Sequence, residues 1–271
     1  MDALDLVLAG RFDDAVKAYQ MELATDPNDI GSVDGLSKAY QEKGNFRAAI
    51  PLMERVHEHQ KRNPDHPGQH LYLAAAFWCL DDRGHAIELA HGLCAAILDG
   101  SVSMAPDHAG GATFGLILHY MAVTAGDEAN RDYALRYLKK LNAKYDKRPT
   151  MFRYPVATVK QLLGELSFED ALDGWRQEWQ SINEYMTAEH RFDAALRAAT
   201  KMEGLQAAYH LAGYNRSIKL QLGVALFHDG AIRRANGDEA GCRTRMQEVF
   251  ALGYQTESVC WYLARHEVSA K

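Results

Sequence analysis

Four histidines crowd into the stretch HEHQKRNPDHPGQH, at His57, His59, His66 and His70, and imidazoles at that density raise the question of a metal. A metal site needs several of them converging with fixed geometry. On a helix His57 and His59 point to different faces, and Pro67 with Gly68 interrupts any helix between His66 and His70, so the stretch reads as a solvated linker. The cysteines Cys79, Cys94, Cys242 and Cys260 lie in apolar contexts with no CxxC pair and no histidine at ligand spacing, which reads as reduced core thiols. Neither a metal nor a cofactor is expected. The acid pairs Glu169-Asp170 and Asp238-Glu239 have the residue types of an acid–base couple, but each stands at a helix start, where carboxylates complement the dipole. The sequence has no phosphate-cradling GxxxxGK[ST], no GxGxxG after a strand, no HExxH and no GxSxG. No catalytic residue is assigned, and the expectation is a protein that is not an enzyme.

The remaining candidate for chemistry is charge. RYLKKLNAKYDKRPTMFRY carries Arg136, Lys139, Lys140, Lys144, Lys147, Arg148 and Arg153 against the single acid Asp146. On a helix Leu135, Leu138, Leu141, Asn142 and Tyr145 share one side, and Arg136, Lys140 and Lys144 occupy the opposite one. Such a face is either solvated, with its cations near a helix C-terminus, or a docking patch for an acidic partner. Nucleic acid is the weaker alternative, because the patch is short and no nucleic-acid module accompanies it.

The elements that must carry these residues follow from composition and pattern. With 271 residues, 47% hydrophobic and 24% charged, the chain can bury a large core, and its net charge of −6 gives no global attraction to nucleic acid or anionic membrane. No apolar run approaches the roughly 20 residues of a membrane span, and MDALDLVLAG has no basic leader, so a cytoplasmic location is expected. GRFDDAVKAYQMELATDPND is followed by a near-copy, GNFRAAIPLMERVHEHQKRNPD, with Gly44 falling 34 residues after Gly10. Phe12, Ala15, Val16, Tyr19 and Leu23 form one helical stripe, Pro27 ends it, and a second helix from about Ile30 to Lys43 closes at Gly44. One such helix pair cannot bury its stripe alone. Pairs must stack, and the same steric needs return at each interval.

This pattern resembles the tetratricopeptide repeat (TPR). One copy carries Gly10, Phe12, Ala15, Tyr19 and Pro27; the next carries Leu36, Tyr40, Gly44, Phe46, Ala49 and Pro64. LYLAAAFWCLDDRGHAIELAHGL supplies a third through Leu73, Ala74, Phe77 and Ala86, with Asp81 where the turn glycine belongs. The specific match covers about residues 7–98. Beyond it ELSFEDAL (Phe168, Ala171), EHRFDAAL (Phe192, Ala195) and two occurrences of GDEA, at 126–129 and 237–240, echo the repeat. Trp175, Trp179, Ile182 and Met186 recur at helical spacing and read as a packing seam. The expected fold is all-α, a TPR-like α-solenoid of stacked antiparallel helix pairs, with two regular repeats over 1–66 and irregular ones continuing the same single domain over 67–271.

The resemblance implies an adaptor that grips a protein or peptide in a concave groove lined by the first helix of each repeat. The matching positions are Asp34, Lys38, Gln41 and Glu42 in the second copy and Ala75 and Trp78 in the third. They do not reproduce the family's Lys/Asn arrangement for a C-terminal carboxylate. Partner contacts are expected at these six and at Arg136, Lys140 and Lys144, and a bacterial immunity protein or secretion-linked chaperone is the finer expectation by analogy of size. The alternatives are a small-molecule or signal-peptide sensor with a pocket lined by Trp78, Phe114 and Tyr120, and an enzyme with an unrecognised site.

Overall fold

The computed structural model describes residues 2–61, 68–102, 111–145, 154–172, 222–252 and 258–269, and among these every regular element is helical. The helices are α1 (Ala3–Leu8), α2 (Phe12–Thr25), α3 (Ile30–Glu42), α4 (Phe46–Lys61), α5 (Gly68–Trp78), α6 (Arg83–Asp99), α7 (Ala112–Ala125), α8 (Glu128–Tyr145) and α9 (Tyr154–Leu162). After them come a helical stretch at 168–172, α10 over 222–235, α11 (Glu239–Ala251) and α12 (Val259–Ser269). Each of α1 to α8 packs on its successor in the chain, α8 on α9, and α11 on α12. That neighbour-on-neighbour order is what stacked antiparallel pairs require.

The joint within each pair is built the same way six times among the described residues. Gly10, Gly44, Asp81, Gly126, Gly164 and Gly237 all take left-handed backbone angles, with φ between 62° and 82°. At each, the left-handed residue donates to a carbonyl three residues back and the following residue to one five residues back, as in Gly44 to Gln41 and Asn45 to Tyr40. These two bonds satisfy the carbonyls that a helix end leaves open. Asp81, the only non-glycine of the six, repeats them to Trp78 and Asp82 to Phe77. At three of the joints the next residue then caps the second helix with its side chain: Asp82 accepts from the His85 amide, Asp127 from that of Asn130 at 3.0 Å and Asp238 from that of Gly241 at 2.8 Å. Five residues after the first three turns stand Ala15, Ala49 and Ala86, all fully buried where the paired helices close on each other. Cys242 takes the corresponding place after Gly237.

Close approach recurs between α7 and α8, where a Cβ on Gly115 would come within 2.5 Å of the Tyr137 ring. A small apolar cluster joins α1, α2 and α3 through Val7, Val16, Tyr19 and Leu36. A larger one gathers described residues of α4 to α12, from Phe46 to Ala264. The larger core does more than link neighbours. It brings α12 back onto α5, far up the chain.

Candidate functional site

The residues expected to line a groove belong to α3 and α5, and α12 occupies that region. Its Val259, Cys260, Trp261, Tyr262, Leu263 and Ala264 are all buried, more than one face of a surface helix would be. Tyr262 donates to Glu42 Oε1 at 2.6 Å. Arg265 donates to the carbonyls of Glu42 at 3.1 Å and Gln41 at 3.2 Å, placing a cation at the C-terminal end of α3, where the open carbonyls and the dipole favour one. The Arg265 guanidinium also lies 4.7 Å from the centre of the Trp261 ring, with Phe46 and Tyr262 further out.

The other end of α12 is held by a second polar group. Glu267 accepts from Tyr120 of α7 at 2.7 Å and pairs through both oxygens with Arg234 of α10, at 2.7 and 3.2 Å. Arg234 donates in addition to Thr124 at 3.0 Å and to Glu239 of α11. Burial by itself would raise the Glu267 carboxyl, but the hydrogen bonds from Arg234 and Tyr120 and the Arg234 charge outweigh it and hold the group below its ordinary value. Burial, then the Glu267 charge and hydrogen bond, push the Tyr120 phenol well up. The cluster therefore carries a fixed ion pair and a neutral phenol.

A third buried group, Asp229 on α10, accepts from Gln161 of α9 at 2.7 Å, Arg233 at 2.8 Å and Arg245 of α11 at 2.7 Å. One carboxylate thus joins three helices. The thiols have the character expected of a core: burial pushes Cys79 up to about 12 and Cys242 to about 11, and raises Cys94 and Cys260 further. Among the described residues no three His, Cys, Asp or Glu side chains converge as a metal site. His57 is half-buried and His59 exposed on α4, while His66 and the side chain of His70 lie outside the described residues, as do Trp175, Trp179, Ile182, Met186, Phe192 and Ala195.

The nine expected contact positions divide into three groups. Gln41, Glu42, Ala75 and Trp78 are buried inside the chain, Glu42 and the Gln41 backbone under Tyr262 and Arg265, and Ala75 and Trp78 on the helix that packs on α12. While α12 holds this place they present no surface to an outside molecule. Asp34 and Lys38 form an i,i+4 ion pair at 3.0 Å and stay half-exposed. Arg136, Lys140 and Lys144 are exposed together on α8, with Lys139 beside them, and Ala134, Tyr137, Leu138 and Leu141 buried opposite. Leu135, expected on the buried side, is only half-buried; Tyr137 goes inside instead, its hydroxyl donating to the Gly111 carbonyl at 3.0 Å. The side chain of Tyr145 lies outside the described residues.

The three aromatics expected around a pocket are all interior. The Tyr120 ring centre is 5.7 Å from that of Trp78 and 4.6 Å from that of Phe227, and Phe114 is buried in the same core. The expected positions did not include Tyr120 as a polar anchor, nor Arg234, Asp229, Tyr262, Arg265 and Glu267. The available signal was the run VCWYLA, apolar all round, which marks a helix buried on every side without saying against what.

No protein-family model and no curated protein matches the sequence. Among solved structures the chain is similar to the crystal structure of a tetratricopeptide repeat protein from Parabacteroides merdae ATCC 43184, with 12% identity over 98% of this chain and 96% of that one and a TM-score of 0.42. The repeat architecture of this chain stands on its own recurring turns and helix order. No described helix is long and apolar enough to cross a membrane.

Proposed function

We propose that the chain is a protein-interaction adaptor that meets an acidic protein partner on the outer face of α8. One observation carries this reading: four cations, Arg136, Lys139, Lys140 and Lys144, are exposed together on a helix whose opposite face is locked into the core, in a chain of net charge −6. A rigid helix pays little ordering entropy on binding, and a local positive field steers an acidic surface toward it. Asp34 and Lys38 would supply a secondary contact, and contact at Gln41, Glu42, Ala75 or Trp78 would require α12 to leave. We read the chain as one continuous unit, because a single core runs from Phe46 to Ala264, as a binding protein rather than an enzyme, and as cytoplasmic. An immunity protein or a secretion-linked chaperone is the finer version, resting on size and on degenerate later repeats.

The test is capture at low and high salt with the wild type and with Arg136→Glu/Lys140→Glu/Lys144→Glu, followed by mass spectrometry and a thermal melt. The reading expects an acidic partner held by the wild type, released by salt and lost in the variant, with the melt unchanged. The same proteins captured by both forms would refute it.

A further inference from the structure

We infer that the acidic surface that fits α8 is α8 of a second copy of this chain, docked antiparallel about a twofold axis at Arg136. The inference rests on the proposal that this face is a docking surface, and it names the partner. The exposed stripe is bipolar: Glu128 and Asp132 lie in its first half, and Lys139, Lys140 and Lys144 in its second. It is also symmetric about Arg136. Asp132 and Lys140 are equidistant from that residue, as are the exposed Ala129 and Ala143, and Glu128 and Lys144 flank them at the two ends. A twofold places the same patch against itself with its ends exchanged. The acidic half of each copy then lies over the basic half of the other, and the helix dipoles oppose favourably.

Three further features support the match. Ala129 and Ala143 are exposed and small, one toward each end of the stripe, so two backbones can approach there. Tyr137, Leu138 and Leu141 pin the inner face, which keeps the stripe in place before docking. The local ion pair available to Asp132, with Arg131, is exposed and long at 3.7 Å and competes weakly. One pairing is unfavourable: Arg136 meets its own copy at the axis.

From Ala129 to Ala143 the face centred on Arg136 is about 21 Å long and about 10 Å wide, so two copies cover about 400 Å² in all, well under the roughly 1,200 Å² of a standard interface. The dimer is therefore weak, concentration-dependent and salt-sensitive.

Sedimentation equilibrium of the full chain tests this over a wide concentration range at low and high salt. The wild type is expected to move from one chain toward two as concentration rises, with association falling roughly tenfold in high salt. Asp132→Lys alone and Lys139→Glu/Lys140→Glu alone should each stay monomeric, with unchanged melts because the substituted side chains are exposed. Mixing these two variants should restore a dimer, since each then offers the other the charge it lacks. Arg136→Ser should tighten self-association, whereas it would weaken docking of a separate acidic partner, which keeps the two proposals apart. A synthetic oligoglutamate bound by a chain that stays monomeric would overturn the twofold pairing and leave the adaptor reading standing. A wild type monomeric throughout, or a dimer indifferent to all of these substitutions, would overturn the inference.

Discussion

Acid should loosen this protein well above the carboxylate range, through two buried histidines. His119 on α7 is 3% exposed and His228 on α10 is 1% exposed. Burial, with a smaller contribution from the Arg131 charge, depresses His119 to about 4; burial, with His119 itself second, depresses His228 to about 3. Both are neutral in the folded protein at pH 5, whereas in the unfolded chain, with an ordinary value near 6.5, they are almost fully protonated. The unfolded state therefore binds more protons between pH 6.5 and 4, and stability falls as pH falls through that window. At pH 5 the gap to the unfolded value is about 1.5 units, or about 2 kcal/mol for each histidine and about 4 for the pair. A buried carboxylate held low, such as Glu267, loses at most about 0.2 kcal/mol of its contribution between pH 7 and pH 5, because its unfolded value lies below that window. Urea unfolding at pH 7 and pH 5, with free energies from linear extrapolation, measures the loss. His228→Gln should lose about half as much over the same interval, whatever its absolute stability, because every other group is common to the two proteins and cancels in the comparison. A wild-type loss below about 1 kcal/mol, or an equal loss in the variant, would show that these imidazoles are not held neutral by burial.

Other expectations concern packing and the clasp on α12. Ala49→Leu should overpack the α3–α4 contact by about 1–3 kcal/mol, read as a drop in Tm; an unchanged Tm would mean that Ala49 is not at a close helix contact. Gly115→Ala should also destabilise, because its new methyl meets the rings and methyls of Tyr137 and Leu138, and near-UV circular dichroism should report the displaced tyrosine. Arg234→Met leaves Glu267 without its main partner and should cost about 3 kcal/mol, much of it recovered in Arg234→Met/Glu267→Met; no recovery in the double variant would refute the pairing as the cause. Treatment with a strong chelator should leave helical circular dichroism intact, and a large loss would reveal a structural metal.

What can be read without the fold is what is made locally. Each repeat joint is closed by hydrogen bonds spanning three and five residues. Gly10, Gly44, Gly126 and Gly237 therefore announce their turns from sequence, and even Asp81 is recognisable by register. The same holds for the exposed cations of α8, since helical periodicity alone sets Arg136, Lys140 and Lys144 opposite Leu138 and Leu141. The contents of the groove could not be read this way. Gln41, Glu42, Ala75 and Trp78 occupy the positions where the repeat pattern expects a partner, but Tyr262 reaches Glu42 across 220 residues of chain. Arg234, Glu267 and Tyr120 likewise come together from three distant helices. A buried polar group needs a partner but does not specify which one. Local bonds determine that the helices pair and where they turn, whereas the contacts of α12 with α3 and α5 join residues far apart in the chain, and only the tertiary structure decides them.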